Sequence, residues 1–361
     1  MIALWVAHAL AADCVQPAIV RAPEMGSDEV ATCLHADVDV GARLFTRFPD
    51  TGLSRGIDLN RFRGELGFAT SGASARFSLL PARSGGDDGY IGIQGEAIVP
   101  RFQLAEARYD IHSAGFSVAA GLVDDIALMP GQGEWTHVAF LRPILTDRGW
   151  TSRSDVGGWA SWTAPGRWVT ATASVTSGEG ANRRERNNGL DTTGVLIVRP
   201  TGTDLVQFLA WGREGSVGLL QARNHRAGFA SYLDHDLVGA GVEAILGWGL
   251  GGDGALDPGG VSLWARTGRE LPVVGFGRLD LGSDARSVPQ TAERTLLAGV
   301  GPHLPFEPDG PASLVLAYEG RSAQPGAAPV AGATATQHTH TVFLQLTSRV
   351  QGSIPMPEVS P

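Results

Sequence analysis

Seven charged residues have the spacing of a working surface: Arg61, Arg63, Glu65, Arg76, Glu106, Arg108 and Asp110. Within each stretch they recur at alternate positions. The residues between them are Phe62 and Gly64, Ala75 and Phe77, Ala107 and Tyr109. In an extended strand successive side chains point to opposite sides. The charges therefore share one face, and the apolar or small residues share the other. A face of arginines interleaved with carboxylates can sort ions and polar solutes by charge and size. A second group lies in the long segment 124–153: Asp124, Asp125, Glu134, His137, Arg142, Asp147 and Arg148. These are candidates to fold inward against the first group and form a constriction.

No catalytic set stands beside these charges. Of the nine histidines, His338 and His340 form the only close pair. At i, i+2 on a strand they share a side and could begin a metal site, but a third ligand is not evident. Gly85-Gly86-Asp87-Asp88-Gly89 and Gly251-Gly252-Asp253-Gly254 look like calcium turns. They lack the ligand spacing of an EF-hand, and glycine–aspartate pairs are ordinary turn chemistry. There is no G-x-S-x-G elbow, P-loop or H-E-x-x-H. The expectation is a protein that is not an enzyme and takes no metal and no cofactor.

The elements that must hold the charges are strands. Phe102–Val123 shows the unit. Ala105, Ala107, Tyr109 and Ile111 lie on one face, and Glu106, Arg108 and Asp110 on the other. A tight turn at 112–115 follows, and then a second arm puts Phe116, Val118, Ala120 and Leu122 opposite Ser117, Ala119 and Gly121. The same period of two predicts sixteen strands: 39–47, 58–70, 73–82, 101–111, 116–123, 154–163, 168–177, 190–199, 204–214, 223–234, 238–249, 259–269, 273–283, 291–301, 312–321 and 338–350. Their connections alternate long and short. Residues 48–57, 83–100, 124–153, 178–189 and 322–337 are long; 71–72, 112–115, 164–167, 200–203, 235–237 and 270–272 are tight. Residues 302–311 are longer than their class predicts.

Bulk properties narrow the class. The chain has 361 residues and a net charge of -9, and all 28 of its basic residues are arginine. An acidic chain without clustered positive charge is no nucleic-acid binder. No run of 18 apolar residues offers a spanning helix. Residues 1–12 are apolar and end in Ala9-Leu10-Ala11, a cleavage pattern of exported proteins, though a basic start is missing. The two cysteines, Cys14 and Cys33, suit a disulfide in an oxidising compartment; two unpaired thiols are the other reading.

Two all-β classes fit: a soluble exported binding or adhesion module, and a closed antiparallel up-and-down transmembrane β-barrel. In the barrel the charges face a wet lumen and the apolar face meets lipid, where every backbone group must pair internally. Alternation alone does not choose, because a soluble barrel inverts the faces. Six tryptophans, Trp159, Trp162, Trp168, Trp211, Trp248 and Trp264, lie in or beside strands, where interfacial girdles would need them.

Three stretches carry a family likeness across residues 43–349. They are Phe102–Leu122, the run Val169–Gly180 (VTATASVTSGEG), and Leu190–Pro200 (LDTTGVLIVRP) with its Arg199-Pro200 close. Together they resemble the bacterial outer-membrane porins, nearest the phosphate-selective (O/P-like) family. The resemblance implies residence in the outer membrane of a Gram-negative bacterium, surrounded by outer-membrane lipid. It implies passive passage of small hydrophilic solutes, and it is compatible with a homotrimer. The family's lysine ladder is absent here, so phosphate selectivity does not carry over. The expected division is a signal peptide at 1–12, a periplasmic segment at 13–38, a barrel at 39–350 and a tail at 351–361.

Overall fold

The computed structural model describes residues 33–49, 53–70, 72–84, 97–128, 144–148, 150–178, 189–217, 222–250, 256–268, 271–286, 291–304, 312–324 and 336–355. Eighteen strands follow in chain order: β1 (Cys33–Pro49), β2 (Ser54–Ala69), β3 (Ala73–Ser84), β4 (Ala97–Ile111), β5 (Phe116–Asp124), β6 (Ser154–Thr163), β7 (Val169–Thr176), β8 (Asp191–Val198), β9 (Val206–Glu214), β10 (Ser216–Val217), β11 (Ala222–Arg223), β12 (His225–His235), β13 (Val238–Trp248), β14 (Gly259–Thr267), β15 (Val273–Ser283), β16 (Ala292–Leu304), β17 (Ala312–Ala323) and β18 (Gln337–Pro355). Sixteen of them form one closed barrel; β10 and β11 make a small separate ribbon in the connection between β9 and β12. Each barrel strand pairs antiparallel with its neighbours in sequence, and β1 closes the ring on β18 through Leu44↔Leu344 and Phe45↔Phe343. Closure removes both sheet edges, each of which would otherwise present a row of unpaired backbone groups.

The barrel runs from 33 to 355, longer than the 39–350 expected. β1 and β18 extend each other to Cys33↔Pro355, so residues 33–38 and 351–355 belong to the wall. The connection expected at 48–57 shrinks to residues 50–53, because β1 and β2 pair as far as Arg47↔Ser54. Two bulges, near Gly41/Arg43 and Ser78/Leu79, interrupt the ladders. A bulge breaks the period of two, which is why alternation reads short there. The turn at 112–115 is a 3-10 turn closed by Gly115 at φ 61. A Cβ on Gly115 would meet the Thr163 carbonyl on the next hairpin, so glycine is required on both counts.

The two faces differ in kind. Outward rows are apolar and open: Leu66 is 58% exposed, Val156 59% and Leu316 56%. The charged side chains Arg55, Glu214 and Arg294 share that outward register only at strand ends, on the side of the longer connections. Inward rows are polar and buried, among them Ser78, Glu106, Ser174, Thr193, Ser262, Asp280 and Gln345. A soluble barrel would show the reverse. Of the tryptophans, Trp162 and Trp168 stand on the outer face near the short turns, at the same end of the barrel as the exposed Phe68, Tyr109 and Phe208 of β2, β4 and β9. Trp159, Trp211 and Trp264 point inward and are buried. The girdle reading holds for the first set and is corrected for the second.

Candidate functional site

The charged wall is built by β2 to β5. Register places Arg76 opposite Glu106 and Gly67, and Glu65 opposite Ser78, so all of these point inward together. Arg76 then gathers three acids. Its Nη2 donates to Glu106 Oε1 at 2.9 Å and to Asp124 Oδ2 at 3.3 Å, and its Nε lies 3.8 Å from Glu65 Oε1. One guanidinium thus faces three carboxylates. Among the described residues the second oxygen of Glu106 has no hydrogen-bond partner. One row nearer the short turns, Arg108 Nε donates to Asp110 Oδ1 at 2.9 Å, and Ser117 donates to the same oxygen. The Arg108 guanidinium also lies 5.5 Å from the Trp159 ring centroid, a distance at which the ring face attracts a cation.

Arg61 and Arg63 pair in register with Gly41 and Asp39, on the inward rows; their side chains lie outside the described ones. All seven residues of the first group thus share the wall β2–β4 by register, and Arg76 ties two of its acids, Glu65 and Glu106, to Asp124 of β5.

The opposite wall, β8 to β16, is covered by the segment between β5 and β6. The base of that segment is a knot. Asp125 N donates to the Arg153 carbonyl at 2.9 Å. Asp125 Oδ1 pairs with Arg213 Nη2 at 2.6 Å, and Asp125 Oδ2 accepts from Thr151 Oγ1 at 2.6 Å. Thr151 Oγ1 in turn accepts from Arg213 Nη1 at 2.9 Å and Arg226 Nη1 at 3.2 Å. Further along, a helical turn (Ile144–Asp147) reaches β14, Arg148 pairs with Glu293 of β16, and Trp150 Nε1 donates to Asp284 Oδ1 at 2.9 Å. Ile126, Leu128, Ile144, Leu145 and Trp150 join one apolar cluster with Leu209, Trp211, Tyr232, Ile245 and Trp264. Gly260 makes the room, since a Cβ there would come within 2.9 Å of Ile144 and 3.1 Å of Trp150. Burying each such side chain stabilises the docked segment by about 1.5–3 kcal/mol.

The segment expected to face the arginine wall therefore divides. Asp124 reaches Arg76, whereas Asp125 and Arg148 bind the far wall. Asp147 falls in the helical turn, its side chain outside the described ones. Glu134, His137 and Arg142 lie outside the described residues, as do both calcium-like turns, residues 1–12 and Cys14. Cys33 is buried and disulfide-bonded. His338 and His340 are exposed near the start of β18, on the outward face, and the His340 ring hydrogen-bonds Tyr318 at 2.6 Å. Among the described residues no group of three or more His, Cys, Asp or Glu is placed to hold a metal.

Sequence reasoning passed over Arg213, Arg226, Arg266, Arg278 and Asp280. Arg278 and Asp280 alternate with Gly277, Leu279 and Leu281 as the chosen charges do, and that signal could have found them; Arg213 beside Glu214 and Arg226 beside His225 carry no such signal. Arg266 pairs with Asp234 at 2.6 Å, and Arg278 with Asp280 at 2.6 Å.

No family model matches this sequence, and no curated protein matches it. Solved structures do. The anion-selective porin of Comamonas acidovorans superposes with a TM-score of 0.59 at 12% identity, over 88% of this chain and 99% of that one. OmpF of Salmonella typhi, solved in complex with daunomycin, gives 0.58 at 8% identity over 88% and 97%. The outer-membrane channel DcaP of Acinetobacter baumannii gives 0.53 at 10% identity over 88% and 96%. The fold is that of the outer-membrane porins.

Proposed function

We propose that this chain is a passive channel of the outer membrane of a Gram-negative bacterium, admitting small hydrophilic solutes and ions. The observation that carries the reading is the inversion of faces: a closed sheet with apolar side chains outward and charged rows inward. Placed in lipid the other way, each inward charge would cost roughly 2–4 kcal/mol near the midplane. The soluble-module alternative would have to leave the whole apolar belt in water, far beyond the patch a monomer ordinarily exposes. The path runs along β2–β5, because the described parts of the segment, at 125–128, 144–148 and 150–151, pack on the far wall. Arg61, Arg63, Glu65, Arg76, Glu106, Arg108 and Asp110 line it. With four arginines, four acids (Glu65, Glu106, Asp110 and Asp124) and no lysine along it, this path is weakly selective and not a phosphate channel. The finer likeness to phosphate-selective porins rests on three sequence stretches alone.

An OmpT structure of Vibrio cholerae, 8% identical, is a trimer form, and a homotrimer is the assembly carried forward here on that likeness. Export completes the reading: the chain is cut near Ala12, and Cys14 bonds Cys33. Purified protein reconstituted in planar bilayers should show stepwise conductance and, on gels, heat-modifiable mobility. A chain that stays monomeric without detergent and gives no conductance ends the channel reading. Intact mass of protein from outer membranes checks the cleavage and the disulfide.

A further inference from the structure

Near the long-connection end of the interior, two phenylalanines and two arginines alternate in a stack. The Arg43 guanidinium carbon lies 5.0 Å from the Phe343 ring centroid and 5.9 Å from that of Phe45; the Arg47 guanidinium carbon lies 5.5 Å from Phe45. Phe45 and Phe343 are register partners across the β1–β18 seam. Gly56 on β2 backs the Phe45 ring, and a Cβ there would come 3.0 Å from it. Phe343 is buried, Arg43 half-buried and Arg47 exposed. The stack therefore runs from the wall into the lumen and ends in a guanidinium. Arg47 makes no ion pair among the described residues, and Glu319, an acid of the same inward rows on β17, is engaged by Arg321.

A guanidinium is planar and weakly hydrated. Its face attracts an aromatic ring, and its edge donates a fork of N–H groups that fits a carboxylate. A solute that continues the alternation must offer both a ring and a carboxylate. We propose that Arg43, Phe45, Arg47 and Phe343 form a binding shelf for aromatic carboxylates at the entrance to the lumen. An aliphatic carboxylate could use only the edge, and a neutral aromatic only the face. The shelf's purpose rests on the channel reading; its affinity does not, because it can be measured on the folded barrel in detergent.

Saturation-transfer NMR titrations of the detergent-folded protein with benzoate and with cyclohexanecarboxylate test it. Benzoate should bind about fivefold tighter or better, the gain coming from the ring face. Arg47→Ala should weaken benzoate about tenfold, and Arg47→Lys should restore only part, keeping the charge but not the plane. Phe45→Leu should erase the preference between the two acids. Arg47 is exposed, so its variants fold even where Phe45→Leu does not, and heat-modifiable mobility verifies this. Equal affinity for the two acids, or benzoate binding untouched by Arg47→Ala, overturns the shelf. In bilayers benzoate should reduce the current of the wild type and not of Arg47→Ala. Binding without conductance would sink the channel and leave the shelf; conductance without benzoate preference would sink the shelf and leave the channel.

Discussion

The two walls of the interior are made from the same pattern and behave as opposites. On β2–β5 the inward rows carry Glu65, Arg76, Glu106, Arg108 and Asp110, which pair chiefly with one another, Asp124 joining them at Arg76. On β8–β14 the inward rows carry Val195, Ile197, Leu209, Trp211, Ile245 and Trp264, and the segment after β5 covers them. There, rings lie over glycines of the next strand: a Cβ on Gly241 would come 2.6 Å from Trp264. A period of two decides which residues face in. It does not decide whether they meet water or another part of the chain. The arginines of the covered wall are consequently anchors for the docked segment, whereas Arg76 and Arg108 of the other wall pair with acids of β2–β5.

Arginine removal should break this comparison most sharply. Arg213→Ala strands the buried Asp125 carboxylate, a loss of about 3–5 kcal/mol for a broken buried pair. The midpoint of urea unfolding in detergent should fall accordingly, and the conductance should become noisy as the segment loosens. An unchanged midpoint would mean that the knot at Asp125 and Thr151 does not hold the segment.

Next in size, Leu66→Arg puts a charge on the outward face at about 2–4 kcal/mol, whereas its neighbour Glu65 already bears one on the inward face without penalty to folding. The folded fraction on unheated gels should drop for Leu66→Arg. Full assembly of that variant would show that Leu66 does not meet lipid.

On the covered wall, Gly241→Ala forces the Trp264 ring from its place. Overpacking of this kind costs about 1–3 kcal/mol, read as a lowered thermal midpoint. Gly67→Ala, on the inward row of the open wall opposite Arg76, meets only ordinary contacts, the Ala75 carbonyl at 3.7 Å and His35 Cβ at 3.8 Å, and should leave the midpoint alone. Equal effects at the two glycines would contradict the packing difference between the walls.

The smallest expected effect on stability is the most informative about function. Replacing Arg63 and Arg108 together by glutamine removes two positive charges from the open wall. The reversal potential under a salt gradient should move toward cation preference, with the barrel still assembled. The same exchange at Arg278, paired with Asp280 on the other side, should cost stability instead. If the Arg63 and Arg108 pair leaves selectivity untouched, the conducting path does not follow β2–β5.

Sixteen barrel strands, the closure of the first on the last, and the inward facing of Arg76, Glu106, Arg108 and Asp110 could all be read from the residues alone. All of these follow from side chains alternating about a strand and from the cost of an open edge, which are local or generic facts. The sequence also marks 124–153 as the segment most apt to turn inward, by length and charge. Where that segment goes is set by long-range packing. Nothing local says that Asp124 turns to Arg76 while Asp125, the next residue, turns to Arg213, or that Trp150 finds a place made by Gly260 on the far side of the ring. Those choices depend on contacts between residues far apart in the chain, from Arg76 with Asp124, 48 positions apart, to Arg148 with Glu293, 145 apart. They depend too on which inward rows are apolar enough to be worth covering. Trp159, Trp211 and Trp264 show the same limit: as residue types they suit a lipid interface, but their register turns them into the interior, where backing glycines and the docked segment enclose them.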